Sequence, residues 1–244
     1  MEAMESSLVE RLEGELESFG ISFTREQTEN LLKHLMLLEE KNKVLNLTRI
    51  VDMETAVTLH VVDSLLPLAC GPVSLNKDCL FLDIGTGGGF PGVPLGIMTG
   101  AKGVLVDSIG KKVSAVNEFL GALGLTRLQG RHIRVEDLAR EVPATFDYVF
   151  ARAVAQTNVL IEYASPLLKN EGILVVQKGR PEDSEIEVAT RAAEICGMRM
   201  VSRETFELPH ELGHREILTY KKVSKPRIKL PRRNGQAKSE PLGL

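Results

Sequence analysis

Apolar residues recur at helical spacing through residues 1–70. Leu8, Leu12, Leu16 and Phe19 mark one stripe, and Leu31, Leu32, Leu35, Leu37 and Leu38 mark a second, which predicts two amphipathic helices. Thr24 with Gln27 three positions on has the composition of a capping box, so a helix start is expected there. After Pro72 the pattern changes to short continuous apolar runs, CLFLDI (79–84), GVLVDS (103–108), FDYVFARAV (146–154) and GILVVQKG (172–179), which read as buried strands. A further strand is expected over 131–135, and helical patterns cover 91–98, 111–123, 158–169 and 184–196. Alternating strands and helices predict an α/β fold with a mostly parallel, doubly wound sheet. No helical pattern separates 198–208 from 214–223, which read as a hairpin closing the sheet edge. The expected division is a helical lobe over 1–70, an α/β domain over 71–223 and a tail over 224–244.

Composition changes this picture little; the distribution of charge changes it more. The chain has 244 residues, 43% of them hydrophobic, enough for one sizeable core with a small added lobe. No apolar run approaches the ~18 residues of a membrane span, and the acidic N-terminal stretch lacks the basic start and apolar run of a secretory signal. Cys70, Cys79 and Cys196 are odd in number and scattered, as reduced core cysteines are. The expectation is a cytoplasmic protein with no membrane partner. The net charge of −3 conceals an asymmetry: Lys221, Lys222, Lys225, Arg227, Lys229, Arg232, Arg233 and Lys238 stand against Glu240 alone in residues 221–244. A basic end on an acidic body reads either as a polyanion contact or as a solvated tail.

The candidate chemistry centres on FLDIGTGGGFPG (81–92), which follows a predicted strand and precedes a predicted helix. Ligands of open α/β sheets sit at the carboxyl ends of strands, where this stretch falls. Asp83, Gly85, Gly87 and Gly89 form an acid-x-G-x-G-x-G pattern, and Pro91 suits the first helical turn. Gly87, Gly89 and Gly92 also fit the dinucleotide fingerprint, with Asp107 downstream as a ribose ligand. Counted from Gly85, however, the third fingerprint position falls on Phe90, whose side chain would crowd a pyrophosphate. An acid at Asp83 suits a cationic ligand without phosphates better, and S-adenosylmethionine is one. Asp107 can accept from both ribose hydroxyls; its plainer alternative is a helix cap, which Ser108 would also serve.

Other positions carry a functional and a structural reading side by side. Arg152 ends a strand and reads as a bidentate carboxylate or phosphate ligand or as a surface ion pair. Lys178 ends the next strand, as an RNA contact or an exposed side chain. Glu136 either walls the site or caps a short helix. Asn46 and Thr48 in NLTRI either face a cleft or cap a helix end; the glycosylation sequon they form fails without a secretory signal. His60, Asp63 and Ser64 share a helical patch but lack the strand-turn elbow of a serine nucleophile, so a packing network is expected. His210 and His214 flank a turn and make no zinc site, and no metal is expected.

NLTRI (46–50), HVVDSLLPL (60–68), FLDIGTGGGFPGVPLGI (81–97), VDSIGKKVSAVNEFL (106–120), RVEDLA (134–139), FDYVFARAVA (146–155), LLKNEGILVVQKG (167–179) and PRRNGQAKSEPL (231–242) together resemble the bacterial 16S ribosomal RNA guanine-N7 methyltransferases, the RsmG or glucose-inhibited division protein B family. The resemblance spans nearly the whole chain. It implies a class I methyltransferase (Rossmann-like) sheet of seven strands behind a helical lobe, with S-adenosylmethionine as methyl donor. The implied reaction is transfer to N7 of a guanine in a decoding-region loop of 16S rRNA, on the RNA or the small ribosomal subunit. It places Gly85 and Phe90 in the cofactor loop, Asp107 and Ser108 by the ribose, Val135 and Glu136 by the adenine, and Arg152 near the cofactor. Lys41 stands where the family often has an aromatic residue. For RNA contact the candidates are Lys178, Arg232, Arg233 and Asn46. Guanine N7 has an in-plane lone pair and no proton, so no general base or cysteine nucleophile is required, and only Arg152 is a candidate for positioning. The alternatives are a methyltransferase of a small molecule or protein and a non-catalytic nucleotide-binding scaffold; a monomer is expected.

Overall fold

A computed structural model describes residues 2–50 and 52–244. Helices α1 (Glu2–Ser18) and α2 (Arg25–Leu45) pack through the two predicted stripes, with Leu8, Leu12, Leu16, Leu31, Leu32, Leu35 and Leu38 all buried. The capping box forms: the Thr24 hydroxyl accepts from Gln27 N at 3.3 Å, and the Gln27 side chain accepts from Thr24 N at 2.7 Å. A helical rod follows, built from α3 (Met53–Ala56), a π-helical turn (Val57–Val62), α4 (Asp63–Leu65) and a 3-10 turn (Leu66–Ala69).

Seven strands form one sheet: β1 (Leu80–Ile84), β2 (Lys102–Asp107), β3 (Leu128–His132), β4 (Phe146–Arg152), β5 (Leu168–Lys178), β6 (Met198–Leu208) and β7 (Gly213–Lys222). Their order is β3-β2-β1-β4-β5-β7-β6, parallel except for β7, which runs antiparallel to β5 and β6. The predicted α/β class and edge hairpin are both present. Successive side chains leave opposite faces of a strand, and the core divides accordingly. Phe81, Leu105 and Phe150 join one cluster with α5 (Gly92–Thr99) and α6 (Gly110–Ala122); Leu82, Ile84 and Val149 join another with α7 (Val135–Glu141), α8 (Thr157–Ala164) and α9 (Asp183–Ile195).

Three sequence expectations shift. The leucines of α1 and α2 lie in the same cluster as Phe81 and Phe150, so the helical lobe shares its core with the sheet. β3 sits at 128–132 rather than 131–135; as an edge strand it carries a polar pattern, LQGRH, that apolar periodicity does not mark. Val135 consequently opens α7 instead of ending a strand, and Glu136 falls in the first turn of that short helix. β5 starts at Leu168 because Leu168 pairs with Phe146, which cuts the predicted 158–169 helix short at Ala164.

The basic tail is also not a solvated arm. It crosses α7, α8 and α9 and ends beyond a short helix α10 (Gln236–Ser239), with Ala237 buried. Arg232 Nε and Nη2 reach the two oxygens of Glu162 at 2.8 and 2.5 Å, and Glu162 is 3% exposed. The Asn234 amide donates to Asp137, Gly235 N donates to Glu136 Oε1 at 2.8 Å, and the carbonyls of Leu242 and Gly243 accept from Asn158 and Arg191. Arg232, expected to face RNA, instead neutralises a buried carboxylate. Removing one member of such a pair strands the other charge. Arg232→Ala is therefore expected to destabilise the fold by about 3 kcal/mol in urea unfolding, whereas an RNA-facing arginine would leave the unfolding midpoint unmoved.

Candidate functional site

The glycine loop turns at the carboxyl end of β1. Gly87 (φ +56°) donates its N–H to Asp107 Oδ2 at 3.1 Å, and a Cβ there would meet nothing closer than 3.9 Å, because it would project into an open cavity. Asp107, at the end of β2, also accepts from Ile109 N at 2.9 Å, so both of its oxygens are oriented by backbone. Gly89 (φ +99°) serves a different need: a Cβ would lie 2.8 Å from Val93 and 3.1 Å from His34. One half of the loop leaves room for a ligand, and the other lets the lobe approach.

That approach is specific. His34 on α2 is fully buried, and its Nε2–H donates to Gly88 O at 3.0 Å. The Phe90 ring is stacked by His34 at 4.6 Å and by His60 at 4.7 Å, with the Arg152 guanidinium 5.5 Å from its centre. Burial holds His34 neutral, with its pKa lowered to about 4. Burial, with Arg152 and His34 nearby, lowers His60 to about 3. His60 Nε2 pairs with the Thr48 hydroxyl at 2.8 Å. Asp83 lies beneath the loop, 0% exposed; Oδ2 accepts from Gly92 N at 3.0 Å, Oδ1 has no partner, and burial raises its pKa to about 6.

Three cavities adjoin at the strand ends. The first, about 300 Å³, lies beyond β2 and is lined by Asp107, Ser108, Ile133, Val135, Glu136 and Tyr163, among others. The second, about 250 Å³, lies over Gly85–Gly88 against Phe90, His60, Lys112 and Arg152. The third, about 420 Å³, is bounded by Ile50, Leu59, His60, Arg152, Gln177 and Lys178. Gly85 and Ala153 border both the first and the second, and His60, Arg152 and Ala153 border both the second and the third, making a groove from β2 across β1 and β4 to β5.

The groove gathers Gly85, Gly87, Phe90, Asp107, Ser108, Val135, Glu136, Arg152 and Lys178. Asp83 and Gly89 support the loop from behind. Arg152 Nη1 donates to Leu59 O at 2.8 Å and Asp63 Oδ2 at 2.9 Å, so it bridges β4 to the helical rod as well as lining the groove. Lys178 is paired with Glu185 at 2.7 Å, away from any role as a free cation. Asn46 is exposed at the end of α2, and Arg233 is exposed on the tail, both outside these cavities. The neighbour Asn42 does the local work: its Oδ1 accepts from Leu47 N and Thr48 N. Ser64 bonds only to the His60 carbonyl, in keeping with the expected packing network. Burial pushes the Cys70 and Cys196 thiols up to about 12, which makes both inert. Among the described residues no cluster could hold a metal ion.

Sequence reasoning passed over several lining residues, among them Tyr163 and Lys238 in the first cavity, Lys112 in the second and Gln177 in the third. Lys112 is half-buried and, among the described residues, has no ion-pair partner, although it stood within the quoted GKK. Gln177 precedes Lys178 in VVQKG, where the charge drew attention from the amide.

Comparisons with known proteins bear on this groove. Residues 27–216 match the family model described as rRNA small subunit methyltransferase G. The chain is 36% identical to ribosomal RNA small subunit methyltransferase G of Desulforamulus reducens, over 90% of this chain and 92% of that one. It is 39% identical to the protein of the same name from Caldicellulosiruptor bescii, over 87% and 91%. The cyclase SpnF superposes with a TM-score of 0.53 at 15% identity, covering 66% of this chain and 80% of that one, a likeness of fold alone.

The buried titratable groups give opposing pH dependences. His34 and His60 resist protonation when folded, so their contribution to stability is present above about 6.5 and is lost as pH falls from there towards 4. Asp83 works the other way: its ionisation penalty is full above about 6 and is relieved as pH falls towards 3.8. Asp83→Asn removes that penalty. The variant should be more stable than the parent by about 2–3 kcal/mol at pH 7, with the difference vanishing near pH 4, as read by urea unfolding across that range. Equal stabilities at pH 7 would show Asp83 to be unperturbed.

Proposed function

The chain belongs to the rRNA small subunit methyltransferase G family, and from that premise we propose that its groove binds S-adenosylmethionine and directs methyl transfer to N7 of a guanine in 16S rRNA. The observation that carries this is the position of Asp107: a buried carboxylate at the end of β2, oriented by two backbone N–H groups, facing a cavity that runs past Gly85 to Arg152. A carboxylate with free lone pairs beside apolar walls fits a ribose diol and a purine ring. The open space at Gly87 fits a chain laid along the loop, and Lys112 and Arg152 supply positive charge for its carboxylate.

When bound, S-adenosylmethionine supplies an electrophilic methyl group on a cationic sulfur. The residues' work is to hold it. Asp107 takes the ribose hydroxyls, and Ile133 and Val135 enclose the base with Tyr163 near the back of the cavity. Asp83 and His34 fix the loop on which the methionine end rests. Arg152 and the neutral His60 stand where the second and third cavities meet, so an incoming base is aligned there. An N7 lone pair needs no deprotonation, and the groove accordingly works by proximity and in-line orientation. An A-form duplex hides N7 in a deep groove, so the substrate guanine is a loop or extruded base. No helix among the described residues is long and apolar enough to cross a membrane.

Two measurements test this. Methyl transfer from labelled S-adenosylmethionine is expected to small-subunit RNA or subunits from cells lacking this protein, recovered as 7-methylguanosine, and not to those from normal cells. No label on either naked RNA or subunits overturns the proposal. Asp107→Ala should weaken S-adenosylmethionine binding about 10- to 100-fold in calorimetry; an unchanged affinity removes Asp107 from the site.

A further inference from the structure

The third cavity holds a polar group with no structural use. Gln177, the last residue but one of β5, is 2% exposed. Its Nε2 donates to the Asp63 backbone carbonyl at 2.6 Å, and that contact settles the orientation of the amide, since the reverse would set two carbonyl oxygens against each other. The atom left over is Oε1, buried with no hydrogen-bond partner among the described residues. Folded proteins rarely leave a buried acceptor in that condition, and this one belongs to a residue lining a cavity of about 420 Å³.

Its neighbour completes a pattern. Arg152 and Gln177 are register partners on adjacent parallel strands, so their side chains leave the same face about 4.8 Å apart. Arg152 spends Nη1 on Leu59 O and Asp63, which leaves donors on Nε and Nη2. From the glycine loop outward the groove therefore runs past a donor at β4 to a residue at β5 whose acceptor lies beneath the cavity wall, where an entering base has to displace its cover to reach it. Resting on the functional reading above, we propose that the third cavity is the subsite of the target guanine, and that Gln177 Oε1 selects it by accepting from the exocyclic amine. With N7 turned towards the second cavity, O6 falls beside the Arg152 donors and the amine falls farthest out, opposite Gln177. Ile50 and Leu59 supply apolar surface for the ring. Adenine has no amine at that position and would set its own 6-amino group against Arg152, so the same pair excludes it.

The test replaces one atom group on each side. Small-subunit RNA carrying either guanosine or inosine, which lacks the exocyclic amine, at the methylated position is assayed for kcat/KM at saturating S-adenosylmethionine. The parent is expected to prefer guanosine about 10- to 100-fold. In Gln177→Met the guanosine rate falls and the preference drops to near one. A merely structural Gln177 would slow both substrates by one factor and preserve the ratio, which overturns the proposal, as does a parent indifferent to inosine. Calorimetry with S-adenosylmethionine monitors folding. If Gln177→Met loses that affinity, the parent's own guanosine-to-inosine ratio decides, and a ratio near one overturns the assignment. A parent that binds S-adenosylmethionine yet methylates neither RNA refutes the functional reading itself rather than the subsite.

Discussion

The groove exists because the helical lobe presses on the glycine loop. Ordering a segment with glycines at 85, 87, 88 and 89 costs more backbone entropy than ordering most others, offset in part by turns in which Gly89 N and Phe90 N donate to Thr86 O and by Gly85 N and Thr86 N donating to Val106 O of β2. The hydrogen bond from His34 to Gly88 O and the stacking of His34 and His60 on Phe90 supply the constraint from outside. Both histidines are held neutral by burial, so the contact carries no charge to solvate. α2 shares its core with Phe81 and Phe150 of the sheet. The loop is thus fixed by the same packing that fixes the fold, and its geometry does not wait for a ligand.

A second tie runs through Asp63, whose carboxylate receives Arg152 from β4 at 2.9 Å and Arg215 from β7 at 3.1 Å. The π-helical turn makes this tie possible. Asp63 N reaches back five residues to Thr58 O, and Leu59 O accepts from Arg152. π turns recur where a helix serves a site rather than only a core. Here the turn gives the rod a carbonyl and a carboxylate directed at one guanidinium, so that Arg152 keeps its place with donors still free. The rod, β4, β5 and β7 are then coupled at a single buried charge, and Gln177 is anchored to the same residue's backbone.

Much of this was legible in the chain. Strands with continuous apolar runs, such as 79–84 and 103–108, announced themselves because both faces of a parallel strand are buried, and the glycine loop and Asp107 followed from where those strands end. β3 was set three residues too late because an edge strand needs no apolar run to mark its bounds. The placement of Val135 suffered with it, though Val135 and Glu136 both reach the first cavity. The loop's division of labour was not legible either: nothing in GTGGG says that Gly87 faces a cavity while Gly89 faces His34. His34 itself lies in a leucine-rich stripe, where a buried histidine looks like any interior position. Gln177 went unnoticed because an amide has no charge; its significance lies in an unmade bond, which only coordinates reveal.

The tail shows why charge in a sequence is weak evidence of a partner. Eight basic residues in 221–244 look like an RNA arm. Yet Arg232 answers the buried Glu162, Lys222 donates to the carbonyls of Ser165 and Leu168, and Lys221 pairs with Glu171. Arg232 holds the segment down on the acidic body, and the segment in turn anchors Glu136 at the wall of the first cavity and Asp137 beside it on α7. Of the tail's cations only Lys238 reaches the groove, at the first cavity, while Lys112 and the unspent edge of Arg152 stand in the second. A cation half-buried without a partner is more informative than a run of exposed ones, since only the former has been desolvated without an evident return. By that criterion the desolvated charge of the groove sits over the glycine loop between α2 and α6, and the basic tail braces the far wall.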